Sequence, residues 1–179
     1  TRLPEENAPD SSGLILIHDS ITYCIPYEGA GMTNNSHFNS FIDRQGNIWA
    51  NFDDALYQVT FDKATYDHID AVDTRHGNDI RFGDEIRSII QLRDGGFLLG
   101  CKNDCIYKYN EDWQFEGYLT REGLVVQKKT AFGARIYCMR QAEDGGVWMG
   151  SRGDGLFGVF SPQLDQQIKE KGEKPFVKN

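Results

Sequence analysis

The sequence predicts an all-β chain made of β-propeller blades: about three four-stranded antiparallel meanders and a half-blade, an incomplete propeller arc. Three observations predict it. A unit of fifty residues repeats in register, a Gly-containing turn signal recurs at the same place in each copy, and the short strand-like runs carry apolar residues on both faces.

The repeat is plainest between two copies. Ile86-Arg87-Ser88-Ile89-Ile90-Gln91, Asp94-Gly95-Gly96-Phe97-Leu98-Leu99-Gly100 and Ile106-Tyr107 are matched fifty positions later by Ile136-Tyr137-Cys138-Met139-Arg140-Gln141, Asp144-Gly145-Gly146-Val147-Trp148-Met149-Gly150 and Leu156-Phe157. An earlier copy reads Phe38-Asn39-Ser40-Phe41-Ile42, Gly46-Asn47-Ile48-Trp49-Ala50 and Leu56-Tyr57. A half-copy, Gly13 to Ile17 and Ile21 to Tyr27, precedes it. The blades are read as 13–30 (half), 37–73, 84–121 and 134–179, after a polar segment 1–12.

In the middle copy the four runs are Ile86–Leu92, Gly96–Cys101, Cys105–Tyr109 and Trp113–Leu119. Asp94-Gly95, Asp144-Gly145 and Gln45-Gly46 stand between the first two runs, where Gly tolerates the positive φ of a tight hairpin. Strict alternation would place Ile86, Ser88, Ile90 and Leu92 on one face and Arg87, Ile89 and Gln91 on the other. A sheet apolar on both faces needs a neighbour on each side, so each blade depends on the next. Gly100 and Gly150 fall where neighbouring strands crowd, and Asn51 breaks that rule in the first copy. Residues Gln163 to Lys174 read as a helical or loop insertion, and 175–179 as the start of an outer strand.

Composition narrows the function. A formal charge of -8 disfavours nucleic acid, and no apolar run is long enough to span a membrane. The first residues lack a signal peptide's pattern and an initiator Met, which reads as a processed chain or a piece of a longer one. The four cysteines (Cys24, Cys101, Cys105, Cys138) and the four histidines form no metal-ligand spacing, so neither metal nor cofactor is expected. The cysteines read as small buried residues, with Cys101 and Cys105 able to face each other across a hairpin. No nucleophile motif, phosphate loop or GxGxxG is present, so catalysis is not expected of this chain. Trp49 and Trp148 recur at one repeat position, which favours packing between blades over sugar stacking.

The run Gly145-Gly146-Val147-Trp148-Met149-Gly150-Ser151, with Ile136 to Met139 before it and Gly153-Asp154-Gly155-Leu156-Phe157 after it, resembles the two-component regulator propeller repeat. Arg44-Gln45-Gly46-Asn47-Ile48-Trp49 matches as well, while the middle copy has Leu98 for Trp and Cys101 for Thr. The resemblance covers about Gly13 to Phe160. It implies part of the periplasmic sensor region of a Bacteroides-type hybrid two-component regulator. Such a region binds a carbohydrate signal and passes it to a histidine kinase elsewhere in the parent protein. The alternatives are a propeller lyase or other glycan-active enzyme, and a protein-interaction scaffold.

Candidate ligand contacts follow from the expected topology. The turns between second and third strands carry Asp53, Asp54, Asn103, Asp104, Arg152 and Asp154, and share a face with the inter-blade loops. One loop holds Asn78 and Arg81; the next, Lys128 to Arg135, is more basic. A charged oligosaccharide would be held there by Asn78, Arg81, Arg135 and Arg152, the arginines through paired N–H donors. The open blade faces imply two further partners, the rest of a parent propeller or a second copy of the chain.

Overall fold

The computed structural model describes residues 13–18, 21–26, 39–52, 55–61, 69–72, 84–165 and 176–178. Every described element is a β-strand; no helix occurs among the described residues. The chain divides into two compact units, 1–79 and 80–179.

In the first unit, β1 (Gly13–His18) and β2 (Ile21–Pro26) form an antiparallel hairpin. A separate meander contains β3 (Asn39–Ile42), β4 (Ile48–Phe52), β5 (Ala55–Phe61) and β6 (Ile69–Val72), paired in sequence order. Trp49 of β4 is buried, and its indole N–H donates to Asp43 Oδ2 at 2.8 Å. The structure also accounts for Asn51. It is fully buried, and its Oδ1 accepts the Asn39 main-chain N–H at 3.1 Å, so a polar side chain there ties β4 to β3.

The second unit holds two sheets. One contains β7 (Ile86–Gln91), β8 (Phe97–Cys101), β9 (Ile106–Tyr109), β10 (Phe115–Leu119) and a short β11 (Val125–Val126) that the sequence did not signal. The other contains β12 (Ile136–Gln141), β13 (Val147–Ser151), β14 (Leu156–Phe160) and β15 (Phe176–Lys178). The pairing of β15 with β14 agrees with the expected outer strand; residues 166–175 lie outside the described ones. Gly95 and Gly145 have φ of +92° and +89°, as the hairpin reading requires. Each donates to the carbonyl three residues back, Leu92 and Ala142, at 3.0 Å.

The two sheets pack face to face, with β12 lying along β7. Leu92, Leu98, Ile106 and Leu119 of the first meet Ile136, Val147, Met149, Phe157 and Val159 of the second, all fully buried. Burying a side chain of this size stabilises by about 1.5–3 kcal/mol, so this interface holds the unit together. Gly100 is required there: a Cβ would lie 3.1 Å from the Ile136 carbonyl oxygen and 2.6 Å from Ser88 Oγ.

Three expectations are corrected. First, β7 does not alternate strictly. Its pairing with β8 slips between Ile86 and Ser88, so Arg87 is an extra residue and Ile86 pairs with Cys101 while Ser88 pairs with Gly100. Ile86 therefore lies on the face opposite Ser88, because adjacent partners on β8 face opposite ways. The same slip recurs between Ile136 and Cys138. Second, Trp148 is half-buried, not enclosed between sheets. It sits on the face of its sheet turned away from β7–β10, edge-on to Phe160 with ring centres 6.0 Å apart. Third, Cys101 and Cys105 are buried free thiols, but Cys138 is exposed. The side chain of Cys24 lies outside the described residues.

Candidate functional site

The antiparallel order puts the β8–β9 turn, the end of β10 and the β13–β14 turn at one end of the second unit. Hydrogen bonds join these segments. Phe132 N–H donates to the Asp104 carbonyl at 2.7 Å, and Arg152 N–H donates to the Arg135 carbonyl at 3.2 Å. The residues 120–135 that lead from β10 to β12 are thus folded onto the β8–β9 turn. That turn is anchored in the other direction by Asn103 N–H, which donates to Asp84 Oδ2 at 2.5 Å, and by Lys102 N–H to the Glu85 carbonyl at 2.9 Å.

The segment 120–135 is cationic although the chain is acidic. Residues 120–135 carry Arg121, Lys128, Lys129 and Arg135 against Glu122 alone, in a chain of formal charge -8. Arg135 Nε meets Asp104 Oδ1 at 3.1 Å, and both side chains are largely exposed. Asp104 adopts φ +62°, a left-handed conformation that Asp tolerates better than most residues. The Arg121 guanidinium lies 4.7 Å from the centre of the Phe157 ring. This cation–π contact gives the exposed cation a fixed platform. The Asn103 amide donates to the Tyr107 hydroxyl at 3.1 Å. Burial pushes the Tyr107 phenol up to about 12, so it stays protonated.

Of the four expected ligand contacts, Arg135 and Arg152 are brought together at this end, joined through their backbones. Asn78 and Arg81 lie outside the described residues. Sequence reasoning missed Arg121, because nothing in its spacing shows that Phe157 will lie beneath it.

It also missed a polar cleft of 470 Å³ at the other end of the same two sheets. Its lining includes Asp94, Lys108, Glu116, Gln127, Gln163 and Asp165. Lys108 is buried, and its Nζ lies 2.9 Å from Glu116 Oε2 and 3.3 Å from both Asp94 Oδ2 and the Tyr109 carbonyl. With three acceptors in reach, this lysine closes the wall of the cleft. A signal existed. Leu98 pairs with Lys108 where Trp148 pairs with Gly158, so the smaller residue on β8 leaves room for the longer one on β9. Nearby, Arg93 Nη1 pairs with buried Asp165 at 3.3 Å, and Arg93 N–H donates to Gln141 Oε1 at 2.8 Å, tying the two hairpins together.

Among the described residues, no three His, Cys, Asp or Glu side chains converge as metal ligands would. Among them, too, no helix is long and apolar enough to cross a membrane.

No family model matches the chain, that of the two-component regulator propeller repeat included, and none of the curated proteins compared with it matches. Solved structures do resemble it. One is PorZ of Porphyromonas gingivalis, described as an essential bacterial surface component of the type-IX secretion system. The TM-score is 0.52 at 18% identity, and the match covers 94% of this chain and 24% of PorZ. Likeness at this identity speaks for the fold alone. The chain spans about a quarter of that protein's length.

Proposed function

We propose that these sheets are blades of a propeller arc in the extracytoplasmic sensor region of a hybrid two-component regulator. The arc binds an acidic oligosaccharide and passes the signal to a kinase elsewhere in the parent protein. One observation carries the ligand assignment: an acidic chain gathers Arg121, Arg135 and Arg152 at one end of its second unit. Guanidinium groups pair with carboxylates or sulfates through parallel N–H donors, and such contacts are the stronger class of hydrogen bond. The description of PorZ as a surface component supports placement outside the cytoplasm. This chain binds and does not catalyse.

Calorimetry with an oligogalacturonate and a neutral malto-oligosaccharide tests the ligand class, and chromatography of the same mixtures tests for cleavage. Binding of the acidic sugar alone, without products and weakened by salt and by Arg135→Ala, is expected. Cleavage would make the chain an enzyme. Equal affinity for the neutral sugar would sink the electrostatic reading. Autophosphorylation of the full-length protein, with and without the sugar, tests the signalling role.

A second reading has its own support. PorZ is a component of a secretion system, which favours a blade array that serves as an interaction scaffold. No binding of either sugar would favour that reading.

A further inference from the structure

The end of the second unit that gathers the arginines also carries an aromatic ring. Among the described residues two aromatic side chains stand exposed, Phe115 at 40% and Tyr137 at 38%. Phe115 packs against the rings of Tyr107, Tyr109 and Tyr118. Tyr137 meets no other ring among the described residues; what stands over it is a cation, the Arg87 guanidinium.

The ladder places Tyr137 next to two of those arginines. It follows Arg135 by two residues and stands beside the Ile136–Ser151 pair, the last of the β12–β13 ladder, after which comes Arg152. Ion pairs run from the ring to the same place. Glu85 holds Arg87 with one oxygen and Lys102 Nζ, at 3.1 Å, with the other, and Lys102 opens the turn whose Asp104 meets Arg135. The side chains of Arg87 and Glu85 are mostly buried, so the cation behind the ring is itself held in place. One face of the ring is given to that cation, and the ring is exposed beyond it.

A fixed aromatic face beside guanidinium groups suits a sugar acid: the C–H groups of a pyranose lie on the aromatic ring while its carboxylate pairs with an arginine. We infer that Tyr137 is the platform on which one ring of the acidic oligosaccharide stacks, with the carboxylate of that ring on Arg135. Asp104, the present partner of Arg135, is largely exposed, and an exposed ion pair of this kind is weak enough for a ligand carboxylate to replace it. The inference rests on the sugar reading proposed above and adds selectivity to it. Arginines alone hold any polyanion, whereas a stacking ring favours one built of pyranoses.

The test is calorimetry on the whole chain with an oligogalacturonate and with an oligoglutamate of equal charge, on wild type, Tyr137→Ala and Tyr137→Phe, with the melting temperature of each. Wild type is expected to bind the sugar about tenfold more tightly than the peptide. Tyr137→Ala should lose about tenfold on the sugar and bring the two ligands near parity, and Tyr137→Phe, which keeps the ring, should hold the sugar within about twofold of wild type. Tyr137→Leu keeps apolar bulk against Arg87 without a flat face, and is read in place of the alanine variant if that one melts far below wild type. Sugar binding that neither Tyr137→Ala nor Tyr137→Leu weakens overturns the inference and leaves the sugar reading standing. Equal wild-type affinity for the two polyanions overturns it as well, because charge alone would then select the ligand. So does an equal loss in Tyr137→Ala and Tyr137→Phe, which would make the hydroxyl and not the ring the contact. No binding of the sugar by wild type overturns both the inference and the reading beneath it.

Discussion

The Ser88 hydroxyl donates to the main-chain carbonyl of Ile136 at 2.9 Å, and the bond is buried. It joins the first strands of two adjacent sheets and, together with the Arg93 bonds, fixes their register. Ser88→Ala leaves that carbonyl without its side-chain donor and should cost about 1–2 kcal/mol in a urea titration. Ser88→Cys, which imports the residue found at position 138, should cost less. Equal losses would mean that packing, not the donor, matters there.

Leu98 and Leu156 test the inverted environments of the two sheets. Leu98→Ala removes a fully buried side chain and should cost about 2–5 kcal/mol. Leu156→Ala, at a 55% exposed position, should change stability by about 0.5 kcal/mol or less when measured at a concentration where the chain is monomeric. Trp148→Ala falls between them, at about 1–3 kcal/mol, below the cost of an enclosed tryptophan.

Asp43 should make the first unit acid-sensitive. Burial by itself would raise its pKa, but donors from the Trp49 indole, the Asn47 side chain and main chain, and the Gln45 main chain outweigh it, and the carboxyl lies below 3.8. A depressed carboxyl contributes stability that is full above the unfolded value and fades as pH falls through the folded one. The denaturation midpoint should therefore hold above about pH 5 and drop below about pH 4. Asp43→Asn should be less stable at neutral pH and flatter in acid. A variant with the wild-type acid slope would place the titration elsewhere.

The described thiols should differ in reactivity. Cys138 is exposed, whereas burial pushes both Cys101 and Cys105 above the usual thiol range and so suppresses their thiolates. Brief alkylation of dilute native chain should modify Cys138 and spare the other two until denaturant is added. Early labelling of Cys105 would show that the β8–β9 turn opens locally.

Most strands were legible because a Gly turn separates the first two runs of each copy and the runs recur in register, so agreement between copies supported their boundaries; β11 has no counterpart in the other copies and was not seen. The face assignment of β7 was not. A bulge adds a residue without changing residue types, so Arg87 looks like any alternating position until its partner strand is known. Trp148 was misplaced for a related reason. Repetition shows that a position packs, but not whether the sheet that should cover it is there. At the candidate site, Arg135 and Arg152 were legible from turn position. Lys108 and Arg121 were not, since their surroundings come from strands and loops distant in sequence.

The recurring bulges have a consequence for how the two sheets are held together. Arg87 and Tyr137 are left out of the pairing between the first two strands of their sheets, and the Arg87 guanidinium carbon lies 5.6 Å from the Tyr137 ring centre. Each of these first strands thus carries one side chain whose face the alternation of its neighbours does not set. Arg87 is nevertheless held, with its guanidinium 3.0 Å from Glu85 Oε1 and only 12% of its side chain exposed. Across the two sheets these positions meet, a cation against an aromatic ring, outside both ladders. The irregularity that interrupts each ladder therefore supplies a clasp between neighbouring sheets that regular alternation would have turned elsewhere.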